Sequence, residues 1–169
     1  IQSTVESLET IMDAEHVAAF ERHGVLTESE LHARAEILLE AYGMSINIEA
    51  MTMLNMAKRQ ILPACIEYSS VLGNAVGAVS SAGVAAGPHK ELLEDVCRLI
   101  AAMKEDIAEL AKVTTDAKEL TDAAKQAGLY RDKVIPAMVE LRATADELET
   151  MVDAKLWPIP SYAEMLFVK

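Results

Sequence analysis

Aromatic residues are scarce: the chain of 169 residues has one Trp, two Phe and four Tyr. Cysteine is scarcer still, with only Cys65 and Cys97, far apart in sequence and in apolar helical contexts. That argues against a secreted disulfide scaffold and for a reducing compartment, so a cytoplasmic location is expected. Basic residues are outnumbered, 15 Lys and Arg against 27 Asp and Glu, giving a formal net charge of −12. Such a surface repels phosphate backbones and anionic headgroups, so no nucleic acid and no membrane is expected as a partner. The longest uncharged run, Tyr68 to His89, is interrupted by four Gly, four Ser, an Asn and a Pro and makes a poor bilayer helix. No basic segment followed by an apolar one opens the chain, so no signal peptide is expected. It begins at Ile1 rather than Met, which reads as an excised piece or a processed chain.

What is present is helical pattern. The length suits one domain with a single core, and Ala, Leu, Glu, Met and Lys dominate with no sustained alternation of β-branched and aromatic residues. The reading is all-α: an antiparallel four-helix bundle over 1–154 with long, kinked helices, then an apolar, Pro-containing C-terminal tail over 155–169. The first helix is expected over about 3–23, opened by a capping box of Ser3 and Glu6, with Val5, Leu8, Met12, His16 and Ala19 on one face. The second is expected over about 27–72, opened by Thr27 and Glu30, with Leu31, Ala35, Leu38, Leu39 and Tyr42 inward and kinks near 43 and 63. Gly43 loosens a helix, and Pro63 lacks the N–H that would pair with the carbonyl four residues back. Gly73, Gly77, Gly83 and Gly87 mark the following stretch as a loop or loose turn. A third helix, about 88–127, has Pro88 in its first turn and is roughly 55 Å long, more than a small core needs. The fourth, about 131–154, places Val134, Met138, Leu141, Ala145, Leu148 and Val152 at alternating steps of four and three, a heptad seam.

No reactive constellation emerges from the residues. A carboxylate-bridged metal pair in a bundle needs two Glu-x-x-His motifs, and the nearest match, Asp13-x-x-His16, occurs once. His16 and His23 stand a heptad apart without a placed acid. As phosphate acceptors, His89-Lys90 is followed by Glu91 and His32 is flanked by Glu30 and Glu36, carboxylates that oppose a phosphoryl group. There is no nucleophile elbow and no Walker loop after the glycines. Cys65 and Cys97 read as small core hydrophobes, Met51, Met53 and Met56 as core filling, and Glu94 with Arg98 as an exposed pair. No catalytic, cofactor-binding or metal-ligating residue is therefore assigned.

Several blocks in order carry a family resemblance: Phe20-Glu21-Arg22-His23-Gly24-Val25-Leu26-Thr27-Glu28-Ser29-Glu30-Leu31-His32-Ala33-Arg34, Ile46-Asn47-Ile48-Glu49-Ala50, Met53-Leu54-Asn55-Met56-Ala57 and Ile61-Leu62-Pro63-Ala64. Leu141-Arg142, Asp146-Glu147-Leu148-Glu149, Trp157-Pro158-Ile159-Pro160-Ser161-Tyr162 and Leu166-Phe167 add to it near the end. Together they resemble the C-terminal region of type III glutamine synthetases, the long-chain bacterial class; about Ser69 to Gln126 carries no matching pattern. The resemblance implies a parent enzyme that ligates ammonia to glutamate with ATP and a divalent metal, Mg or Mn, in a ring-shaped homo-oligomer. It also implies that the catalytic motifs lie upstream, so no catalytic residue is carried over.

The expected role is accessory: packing beside the catalytic domain of the same chain and neighbouring subunits, and contributing to assembly. Trp157, Pro158, Pro160, Tyr162 and Phe167 are the expected docking segment, since aromatic anchors carry much of an interface's energy; the alternative is a tail that closes its own core. Two other classes compete. A freestanding helical interaction module would pair through the seam of Val134 to Val152 and leave an apolar groove open, and a metal-dependent bundle oxidase would hold metal.

Overall fold

Side-chain caps set where the helices start. In the computed structural model, which describes residues 3–166 and only the backbone of Tyr162, Ser3 Oγ accepts from the Glu6 N–H at 3.2 Å and opens α1 (Thr4–Ile11). The chain then turns: Met12 and Asp13 donate back to the Glu9 and Thr10 carbonyls, and the Asp13 carbonyl starts α2 (Ala14–Arg22). The single helix expected over 3–23 is thus two. The break resets the helical phase, so Val17 is buried while His16 is exposed. Gly24, at φ +60°, closes α2 in the left-handed conformation that L side chains disfavour.

Thr27 and Glu30 form the reciprocal box that opens α3 (Glu28–Met56). Thr27 Oγ1 accepts from the Glu30 N–H at 3.3 Å, and Glu30 Oε2 accepts from the Thr27 N–H at 2.9 Å. Those Thr27 hydrogen bonds hold the Glu30 carboxyl below its ordinary range. Its contribution to stability is present above the ordinary carboxylate pKa and is lost as pH falls through the lowered one.

Helix α3 runs unbroken through Gly43 and ends in a π-helical turn, Ala57–Ile61, after which α4 (Leu62–Ser81) continues. In the π turn Leu62 donates to the Ala57 carbonyl, five residues back. That added residue per turn is how the long helix takes in Pro63, which has no N–H to give. Gly73 and Gly77 lie inside α4 rather than in a loop; the turn comes later, at Gly83, φ +76°. A Cβ on Gly73 or Gly77 would meet nothing within 4 Å, so no close backbone approach requires either one.

Helix α5 (Gly87–Glu119) stops eight residues short of its expected end. Asp122 caps a new helix there, α6 (Ala123–Leu129), by accepting from the Lys125 N–H at 3.0 Å, and Gly128 is helical within it. A second π turn, Tyr130–Val134, leads into α7 (Ile135–Glu149), two residues into which stands Pro136. The last described element is a short helix, α8 (Tyr162–Leu166). Among the described residues the chain is all-α, with no strand.

The chain divides into two units, residues 1–51 with 110–138, and residues 52–109 with 139–169. In the first, Val5, Leu8, Leu39 and Ala127 form a buried cluster with Tyr42 and Ala123 against it. Tyr130, 2% exposed, lies against α3 at Gly43, where a Cβ would come within 3.4 Å of its ring and 3.3 Å of Gln126 Oε1. Gly43 is therefore a point of close approach, not the kink expected there. Where α5 ends, Gln126 Nε2 donates to the carbonyls of Ala117 and Leu120 at 3.2 and 3.0 Å, the first of which also accepts from the Leu120 N–H.

In the second unit Cys65, Val96, Leu99, Met103, Leu141 and Leu148 are buried. Thr144 Oγ1 donates to Asp106 Oδ2 at 2.6 Å, tying α7 to α5. Arg98, expected to pair with Glu94, instead meets Asp95 and Glu147 at 3.4 and 3.7 Å. Leu38 and Met51, expected inward, are both about half exposed, and Cys97 is exposed too. Their helical phases place them off the stripes through Leu39, Ala50 and Val96.

Replacing Gly43 tests the close approach. Gly43→Val puts two methyls toward the Tyr130 ring and should cost about 2 kcal/mol of unfolding free energy. Gly43→Ala gains up to about 1 kcal/mol of helix propensity against a tight contact, and should fall between the valine variant and the parent. A urea titration in which the valine variant unfolds at the parent midpoint would remove this contact from the account of the fold.

Candidate docking surfaces

Chemistry-bearing side chains are dispersed. His16, His23, His32 and His89 are exposed on separate stretches, and among the described residues only His32 is within 4 Å of a carboxylate, Glu28 at 3.9 Å. Among the described residues no three His, Cys, Asp or Glu side chains gather as a metal ion would need. No helix among them is long and apolar enough to cross a membrane.

The first unit carries a cleft of about 550 Å³ with an apolar floor of Leu8, Ala35 and Leu39 and an acidic rim of Glu9, Glu36 and Asp122. The Lys125 N–H holds the Asp122 carboxyl below its usual range, so the rim stays charged. That rim repels phosphate, including at His32, which also lines the cleft. Nothing in the cleft suits it to a nucleotide.

The tail begins in a tight turn after α7. Asp153 Oδ1 accepts from the Lys155 N–H at 2.9 Å, and its carbonyl accepts from Leu156 and Trp157. Trp157 is half-buried, and its indole Nε1 is buried with no acceptor in the described protein. Pro158 and Pro160 are exposed. Of the other expected docking residues, the Tyr162 side chain and Phe167 lie outside the described residues. Reading from sequence missed α8, although its signal is legible: Ser161 and Glu164 form a capping box, with Glu164 Oε2 accepting from the Ser161 N–H at 2.7 Å. Beyond it Met165 and Leu166 are exposed.

The seam of the last helix is not an open groove. Val134, Leu141, Ala145, Leu148 and Val152 are all buried, and Met138 is half-buried.

Comparison with known proteins supplies what the side chains do not. Residues 1–80 match the family described as glutamine synthetase C-terminal domain. A type-3 glutamine synthetase from Dictyostelium discoideum is 32% identical over an alignment that takes in 100% of this chain. The chain carries a glutamine synthetase C-terminal domain. A glutamine synthetase from Butyrivibrio fibrisolvens is 33% identical over 90% of the chain, and one from Bacteroides fragilis 27% over 86%. The chain spans 24%, 22% and 21% of the length of these three relatives, in the order given. The likeness to glutamine synthetases therefore continues past the matched 1–80 and takes in α5, where no sequence pattern had been found.

The two thiols of this chain should behave differently. Burial removes Cys65 from solvent and pushes its thiol up to about 11, whereas Cys97 is exposed. Iodoacetamide at mildly alkaline pH should modify Cys97 alone in the native protein and both after denaturation. Rapid native labelling of Cys65, read by peptide mass, would contradict its burial.

Proposed function

We propose that this chain is the accessory and assembly region of a longer glutamine synthetase, a cytoplasmic enzyme whose complete polypeptide joins ammonia to glutamate at the expense of ATP, with Mg or Mn. In this reading the helical region is non-catalytic. It packs against the catalytic domain and against neighbouring subunits of a homo-oligomer. The observation that carries the proposal is the alignment of the whole chain with about a quarter of a type-3 glutamine synthetase. The dispersed titratable groups and the acid-rimmed cleft support it, since neither suits phosphoryl chemistry.

The tail supports a docking role in particular. A buried indole N–H without an acceptor costs on the order of 1–3 kcal/mol, and a carbonyl from an adjoining surface would pair with it. Trp157, Pro158, Pro160, Tyr162 and Phe167 remain the proposed docking segment. A freestanding interaction module working through the Val134–Val152 seam is less well supported, because the seam residues are buried.

Blotting source cells with an antibody against this region should reveal a band several times the 18.3 kDa of the chain; a band near that mass would overturn the proposal. In the longer polypeptide, truncation after Asp153 should loosen the oligomer and lower its melting temperature. Trp157→Phe, which keeps an aromatic ring but loses the N–H and the fused five-membered ring, should do so less. Unchanged assembly and melting in the truncated protein would remove the docking role from the tail.

A further inference from the structure

Helix α3 is apolar on two opposite faces. Its inner face presents Leu31, Ala35, Leu39 and Ala50, all buried. On the opposite face Ile37, Ala41, Met44, Ile48 and Met51 recur at steps of four, three, four and three, the spacing of a heptad seam. All five are exposed: Ile37 is 63%, Met44 61%, Ile48 64% and Met51 49% accessible. Between residues 37 and 51 the helix has two charges, Glu40 and Glu49, and both lie off the outer stripe. A helix that is apolar all round is ordinarily covered on both sides, and a contiguous exposed apolar strip marks an interaction surface.

We propose that this outer seam of α3 is a docking surface for an apolar helix face belonging to the remainder of the longer synthetase polypeptide. The inference rests on the assembly reading above and adds to it the face used and the kind of partner. Two observations decide against a second copy as the occupant. Fifteen residues of helix, from Ile37 to Met51, make a strip about 21 Å long and about 10 Å wide, well short of the ~800 Å² per partner that a stable free dimer buries. A chain of formal charge −12 also repels its own copy. A covalently attached partner is present at an effective concentration near the millimolar range, so a small seam is enough to hold it. Glu40 and Glu49 on the flanks favour a partner whose rim is basic. The methionines suit the surface, because an unbranched thioether fits itself to an irregular facing helix.

The seam can be read through its methionines in the native protein from its source. Peroxide oxidation followed by peptide mass analysis should modify Met44 and Met51 about tenfold more slowly in the native protein than after denaturation. That protection should survive about a hundredfold dilution, since the partner is tethered. In Ile37→Glu it should be lost at Met44 and Met51 and kept at Met103, which is fully buried and reports that the fold is intact. A long native polypeptide whose Met44 and Met51 oxidise at the denatured rate would overturn the docking surface and leave the synthetase reading standing. Protection that disappears on dilution would assign the seam to a second subunit and overturn the tethered partner. A native band near 18.3 kDa would overturn both readings.

Discussion

Position 43 of α3 has no side chain, and the first unit is arranged around that gap. The Tyr130 ring and the Gln126 amide both come within 3.3–3.4 Å of where a Cβ would stand. The ring fills the volume as the largest of the almost fully buried side chains. The amide turns its nitrogen to the carbonyls of Ala117, in the last turn of α5, and Leu120, just past it. One missing methyl thus lets α6 approach α3 closely enough for its side chain to finish a third helix. A larger residue would displace both groups, leaving the Ala117 carbonyl with only the Leu120 N–H and taking the Gln126 amide from the Leu120 carbonyl.

The prolines impose the second constraint, and the chain answers both in the same way. Lys58-Arg59-Gln60-Ile61-Leu62-Pro63-Ala64 and Arg131-Asp132-Lys133-Val134-Ile135-Pro136-Ala137 share a pattern of polar residues, two branched aliphatics, Pro and Ala. Each ends a π turn in which the residue before the proline donates five residues back, Leu62 to Ala57 and Ile135 to Tyr130. Widening the helix by one residue just ahead of the ring relieves the clash with the preceding turn and lets the helix go on. The second π turn starts at Tyr130, so the residue that packs on Gly43 also opens the widened turn.

Local signals in the sequence were legible where one short-range bond decides the outcome. Ser3, Thr27 and the disturbance ahead of Pro63 can be read from residue type and spacing, because a cap or a missing N–H acts within a turn. Gly43, Gly73 and Gly77 could not be, since whether a helical glycine marks a kink, a loop or a close approach depends on what packs against it from far along the chain. The same limit explains α5. Its apolar steps of three and four run past Glu119 into Ala124, and periodicity alone does not show that Asp122 and Gln126 end one helix and start another. The outer seam of α3 was hidden for a related reason: apolar residues on two faces blur the period that assigns an inside, so Met51 read as core. For the candidate surfaces, the tail was visible through its aromatic and Pro content, while α8 was overshadowed by the same prolines.

The displaced pKa values show what the charged groups are for. Glu30, Asp122 and Glu164 are lowered chiefly by the N–H groups at the helix starts they serve, and Asp132 by the adjoining Arg131. A general acid at neutral pH needs the opposite displacement, a carboxyl raised by burial. The groups that burial does raise, Tyr42, Tyr130 and Cys65, are neutral packing elements of the two units, and raising them makes them less reactive rather than more. Electrostatics here fixes where helices begin and keeps the surface acidic. Exposed apolar side chains, among them Ile37, Met44 and Ile48 along α3 and Met165 and Leu166 at the end of the tail, are set against that acidic surface.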